Sequence, residues 1–190
     1  MLLKFLKQTR FNYVFVLSFI LLTTLGCSDD DNRSDDPQLE TENVTIGAQA
    51  TFLRVDNVDT STNPAVVNLN ALNISPGDVL RLKTIGNYIN SPTGSTRDSA
   101  AGVFSSSNLL LDSSELNRVV DAIDAGEDRV TDNTFEQNQV TDIPEDFRID
   151  ENQIQITVPV GAQFLFLGVT DSKLSDNMQS SAGFAIEIRY

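Results

Sequence analysis

Between two apolar segments near the C-terminus lies Asp171-Ser172-Lys173-Leu174-Ser175-Asp176-Asn177-Met178-Gln179-Ser180. Two carboxylates and an Asn amide within seven residues, with backbone carbonyls beside them, are the hard oxygen donors that Ca²⁺ prefers. Calcium takes about six to eight oxygens, so one loop cannot complete its shell. A partner loop has to supply the rest, and Asn87-Tyr88-Ile89-Asn90 with Asp98 is the candidate. The spacing is not that of an EF-hand, because the central Gly and the closing Glu are missing. The competing reading is structural: Asp and Asn side chains bond to nearby backbone and hold a hairpin loop in shape.

Other chemistry is narrowed by what the chain lacks. It contains no histidine, which excludes a Ser-His-Asp triad, a Cys-His pair, a His-ligated zinc and a His general base. A glycosidase built on paired carboxylates is a third reading, but no spacing singles out such a pair. The second acidic cluster, Asp121, Asp124, Glu127, Asp128 and Asp132, reads as a solvated face. Asp142-Ile143-Pro144-Glu145-Asp146-Phe147 reads as a turn anchored by Phe147. We therefore expect no enzyme.

The N-terminus indicates location. Lys4, Lys7 and Arg10 precede an apolar run from Val14 to Leu25, which ends in Gly26-Cys27. Charged, apolar and small-residue regions in that order make a secretory signal peptide over residues 1–26. The run is shorter than the ~18–20 residues a permanent membrane helix needs, so cleavage is favoured over anchoring by the segment itself. The site resembles a bacterial lipobox, departing from it with Thr24 three positions before Cys27. Cys27, the only cysteine, is expected to carry lipid, whose burial contributes ~0.8 kcal/mol per methylene. Ser28-Asp29-Asp30-Asp31 resembles the surface-export signal of Bacteroidota lipoproteins. We expect a lipid-anchored outer-membrane protein exposed on the cell surface, touching the membrane only through that lipid.

Cleavage carries off three of the 13 cations and none of the 27 acids, moving the net charge from −14 to −17. Such a field repels nucleic acid and anionic lipid, and no basic run occurs in the sequence. Residues 27–43 hold seven acids and one large apolar side chain, Leu39, and read as a flexible tether. Residues 44–190 then remain for one domain, with no second cysteine to form a disulfide within it.

The elements expected to position the loop are short strands. Thr45–Val55 is rich in Thr and branched residues, and Ala65–Leu69 is a weaker strand. Ser75-Pro76-Gly77-Asp78 makes a turn into the alternating segment Val79–Ile85. Asn87–Asp98 is polar and reads as a loop, followed by a strand at Ala100–Phe104. Residues 112–126 are ambiguous: Leu116, Val119, Val120 and Ile123 fall at helical spacing, but strand and turn fit equally. Ile154–Val158 and Gly183–Ile188 alternate strictly, whereas Phe164–Val169 is apolar throughout, as in a strand buried on both faces. Many short strands with Gly, Asn, Asp and Ser turns predict an all-β antiparallel sandwich, jelly-roll-like, with one short helix as an option at 112–126.

Pro76-Gly77-Asp78-Val79, Gly86-Asn87-Tyr88, Val158-Pro159-Val160-Gly161-Ala162, Asp171 and Gly183-Phe184 follow one another along the chain. That order of motifs is similar to that of the calcium-dependent galactophilic (PA-I type) bacterial lectins. In those lectins a Tyr carbonyl, a loop Asp, a Thr carbonyl four residues on and two consecutive Asn hold calcium, which holds two sugar hydroxyls. The resemblance implies Tyr88, Asp171 and Ser175 as metal ligands, and the loop itself offers Asp176 and Asn177 as further donors. Asn87, Asp98 and Gln179 would face the ligand. The chain departs from the family in that Gln179-Ser180 fall where the Asn pair belongs, Asp176-Asn177 come early, and the sugar-facing His has no counterpart. The expectation is a calcium-assisted carbohydrate-binding module with a glycan partner. The alternative is a structural or interaction lipoprotein without a ligand site.

Overall fold

Strict alternation gives a strand one apolar and one polar face, so two such sheets can bury a shared layer. The computed structural model describes residues 38–55, 59–126 and 142–190, and these behave in that way. Their strands are β1 (Thr41–Thr45), β2 (Ala65–Asn68), β3 (Val79–Ile89), β4 (Thr96–Arg97) and β5 (Ala100–Ser105). Then follow β6 (Ala122–Ile123), β7 (Phe147–Ile149), β8 (Ile154–Thr157), β9 (Phe164–Val169) and β10 (Met178–Arg189).

One sheet runs β1-β10-β3, and the far edge of β3 is shared by β8 along Val79–Leu82 and by β4 along Tyr88–Ile89. The other runs β2-β9-β5, with β7 and β6 sharing the far edge of β5. All of these strand pairs are antiparallel. Without the two-residue strands β4 and β6, the orders are β1-β10-β3-β8 and β2-β9-β5-β7. Apart from the neighbours β5 and β7, successive strands thus alternate between the two sheets, which is the jelly-roll order. Leu80, Leu82, Ile156, Ile186 and Ile188 of the first sheet meet Phe104, Ile149, Leu165 and Leu167 of the second in one buried core.

β9 is buried on both faces, as its continuous apolar run predicts. Its second face is covered by a smaller core in which Phe52, Leu53, Val119 and Ile143 pack with Ala101, Val103 and Phe166. That layer explains why Thr45–Val55 is not a strand beyond Thr45. Ile46, Ala48, Ala50, Phe52, Leu53 and Val55 are buried as β-forming residues should be, but as a strap across the sheet. The strap's backbone bonds go to scattered partners: Ile46 N–H to Phe184 O, Thr51 N–H to Thr62 O, and Val55 N–H to Ser113 O. Gly168 permits the crossing, since a Cβ there would lie 2.9 Å from Thr51 Cα.

Of the two readings of residues 112–126, strand and turn is the one found: they form turns and β6, and the described residues contain only one 3₁₀ turn, Leu69–Leu72. Two further expectations are corrected. The segment Asn87–Asp98 is not wholly a loop, because β3 continues to Ile89 and β4 takes Thr96–Arg97. Order begins before residue 44: Thr41–Asn43, expected in the tether, pair in β1 with Arg189, Ile188 and Glu187. Residues 1–37, with the signal segment and Cys27, lie outside the described residues, as do Glu127, Asp128 and Asp132. No described helix is long and apolar enough to cross a membrane.

Candidate metal centre

The loop of interest is shorter than its sequence suggests, because β10 begins at Met178. Residues 170–177 bridge β9 to β10, and their base is fixed from β3. Tyr88 is fully buried, packs on Phe184 with ring centroids 5.1 Å apart, and donates its hydroxyl to Thr170 O at 3.2 Å. In register it faces Gln179 on one side and Arg97 on the other. Beside it the β3–β10 ladder bulges, with Asn87 opposite the run Ser180–Gly183. Ser180 Oγ closes the bulge by donating to Asn87 O at 2.7 Å.

The loop leaves three acceptor oxygens buried and unpartnered: Asp171 Oδ2, Asp176 Oδ1 and Asn177 Oδ1. The other atom of each side chain is engaged. Asp171 Oδ1 accepts from Ser172 N–H at 2.7 Å, and Asp176 Oδ2 lies 3.7 Å from Lys173 Nζ. Asn177, 3% exposed, donates its amide to Ala48 O at 2.9 Å. A buried acceptor without a donor costs about 1–3 kcal/mol, so three in one loop call for a partner from outside the protein chain, a water or a cation. Oxygens with free lone pairs and no donor suit a hard cation.

Charge supports the same reading. Burial pushes the Asp171 carboxyl above its ordinary range, with Asp176 adding to the rise. The amides of Ser172 and Lys173, together with Arg97, oppose it. The Tyr88 phenol is likewise pushed up by burial and then by Asp171 and Asp98, against Arg97. Tyr88, Asp171, Asp176, Asp98 and Arg97 therefore share one electrostatic neighbourhood.

The remaining candidates are placed differently. Ser175 is exposed; its N–H is held by Asp59, and its carbonyl accepts weakly from Gln49 Nε2 at 3.4 Å. Gln179 is exposed but uses its carbonyl oxygen on Ala48 N–H at 3.1 Å, so that oxygen tethers the strap. The backbone oxygen of Asn87 is taken by Ser180, and Asp98 is exposed. Among the described residues, no group of three or more Asp, Glu or Cys side chains is placed to hold a metal. A cation at this loop would therefore rest on two carboxylates, the Asn177 amide and neutral backbone oxygens.

Sequence reasoning missed Asp59 and Gln49. Asp59 Oδ2 accepts Leu174 N–H at 2.7 Å, while Oδ1 accepts Ser175 N–H at 2.8 Å and Thr60 N–H at 2.9 Å. Burial alone would raise this carboxyl, but the Ser175 hydroxyl and the three amides outweigh it and hold it below its usual range. Gln49 Nε2 donates to Asn177 O at 3.2 Å. The one visible signal was Asp59 at the head of Thr60-Ser61-Thr62, which marks a turn without naming a partner. Compared with protein families, curated proteins and solved structures, the chain matches none.

Proposed function

We propose that this chain is a calcium-assisted carbohydrate-binding module on a cell-surface lipoprotein, with no catalytic role. The observation that carries the reading is the set of unpartnered oxygens Asp171 Oδ2, Asp176 Oδ1 and Asn177 Oδ1 in one loop. Calcium there would relieve the cost of these oxygens and offer open coordination positions to vicinal sugar hydroxyls. Tyr88 holds the base of the loop, Asp59 and Gln49 hold its far side, and Asp171 and Asp176 supply the charge. Cys27 would carry the lipid and residues 28–40 the spacing from the membrane.

The test is thermal. A ligand that binds only the folded state stabilises it by about 2.7 kcal/mol at a hundredfold over its Kd, which is roughly 5–10 °C for a domain of this size. Calcium should raise the melting temperature and EDTA should lower it. Identical melting in both sinks the site. Radiolabelled palmitate should enter the wild-type chain and not C27A.

A structural or interaction lipoprotein without a ligand site is the second reading. The observation that favours it is the exposure of Leu109 (62%), Leu111 and Leu116 on one connecting segment. It predicts no calcium response and no binding to any glycan.

A further inference from the structure

Away from the loop, the outward face of the first sheet gathers cations in a chain of net charge −14. Leu80, Leu82, Ile186 and Ile188 point into the core, so alternation turns Arg81, Lys83, Glu187 and Arg189 outward. Register sets Arg81 directly opposite Arg189, and Lys83 opposite Glu187. One carboxylate serves two cations: Glu187 Oε1 lies 3.4 Å from Lys83 Nζ and 2.9 Å from Arg189 Nε, the latter without hydrogen-bond alignment. No described carboxylate pairs with Arg81.

Like charges directly opposite each other destabilise a sheet. Glu187 offsets that cost for Arg189 but leaves Arg81 without an ionic partner among the described residues, in a protein with acids in excess. The row they form continues to Thr41 on β1 and Gln155 on β8, about 14 Å across at ~4.8 Å per strand. The next row is Asn43, Glu187 and Lys83. The result is a sheet face with local positive charge, flanked by the neutral hydrogen-bonding side chains Thr41, Asn43 and Gln155 and by the exposed Val79 and Ile85.

We propose that this face binds an acidic polysaccharide, a carboxylated or sulfated glycan whose anions are taken by Arg81, Arg189 and Lys83. Guanidinium forks match carboxylate and sulfate oxygens in pairs, and Thr41, Asn43 and Gln155 suit the hydroxyls between them. An anionic bilayer is a poorer fit, since lipid recognition uses about four to eight cations and the rest of this chain repels such a surface. Arg81 and Tyr88 are seven residues apart on β3, roughly 23 Å at ~3.3 Å per residue, well beyond a Debye length of ~8 Å. The face is therefore independent of the calcium loop, and either reading stands without the other.

The experiment is calorimetric titration of the full-length chain with polygalacturonate and heparin oligosaccharides, at about 50 mM and about 300 mM NaCl. Neutral dextran, phosphatidylglycerol vesicles and single-stranded DNA are the comparisons. The acidic glycans should bind, weaken with salt, and lose about tenfold or more in affinity in R81Q/R189Q. That variant should melt close to wild type, because the loss of the exposed Arg189–Glu187 contact is offset by the loss of a repulsive pair, and EDTA and D171N should leave the binding unchanged. Absence of binding at low salt overturns the proposal, as does undiminished binding by the double variant. Vesicles or DNA bound as tightly through the same two arginines also overturn it.

Discussion

Asp59 Oδ2 accepts the backbone N–H of Leu174 at 2.7 Å across a sequence separation of 115 residues. The contact joins the segment before Thr60 to the loop between β9 and β10, and the neighbouring Ser175 amide doubles it. Two loop amides on one carboxylate hold the loop in place, and a fixed loop holds its oxygens ready for a cation.

D59N should therefore loosen the loop. Its two bonds to the loop are charge-assisted but largely exposed, so the cost is about 1 kcal/mol and not more. Because the folded carboxyl lies below its unfolded value, its contribution is complete above roughly pH 4 and is lost as pH falls through the folded value. Melting from pH 7 to pH 3 should show a smaller acid loss in D59N than in wild type. Equal losses would remove Asp59 from this role.

Asp171 titrates in the opposite sense. Burial raises its folded value, so the ionised carboxylate costs stability above that value, and the cost disappears as pH falls through it. Without calcium, D171N should melt at or above the wild-type temperature at neutral pH. With calcium the order should invert, because the variant has lost a ligand. The paired melts, with and without EDTA, separate a metal role from a purely structural one.

Y88F removes the hydroxyl that Thr170 O accepts and leaves the contact with Phe184. A cost of about 1 kcal/mol, read by urea denaturation, is expected from one buried hydrogen bond. Calcium affinity should fall by a few-fold at most, since the hydroxyl anchors the loop without being a ligand.

G86A should be far more damaging. Gly86 has φ +72°, and a Cβ there would run into the Gly183 carbonyl oxygen across the bulge, where neither backbone can yield. A loss of roughly 2–4 kcal/mol, or failure to fold, is expected from combined backbone strain and collision. G77A, also at positive φ but with open space around it, should cost distinctly less.

Local pattern made much of the fold legible. Val79–Ile85, Ile154–Val158 and Gly183–Ile188 announced two-faced strands, and Phe164–Val169 announced a strand covered on both sides. Thr45–Val55 misled because its residues are buried and β-forming, yet bond to Phe184, Thr62 and Ser113 rather than to one ladder. Propensity reports what a side chain prefers to pack against, not which backbone will be its neighbour. The spacing at 112–126 fitted helix and strand-and-turn equally, and a long-range contact decided for the latter. Arg118 is drawn into the interior, donating to Leu53 O at 2.7 Å and Leu111 O at 3.2 Å, and holds the segment as turns.

The candidate site divides along the same line. Asp171, Asp176 and Asn177 stand within one loop, so their spacing alone marked them as a donor set. Asp59, Gln49 and the Ala48 carbonyl come from elsewhere in the chain, and no local pattern could reveal them. Alternation by itself determined the sandwich, because burying an apolar face is a property of each strand. Only the tertiary structure decided which oxygens are left without donors and which cations stand face to face. Both depend on register and on long-range pairing, which a strand's own residues do not encode.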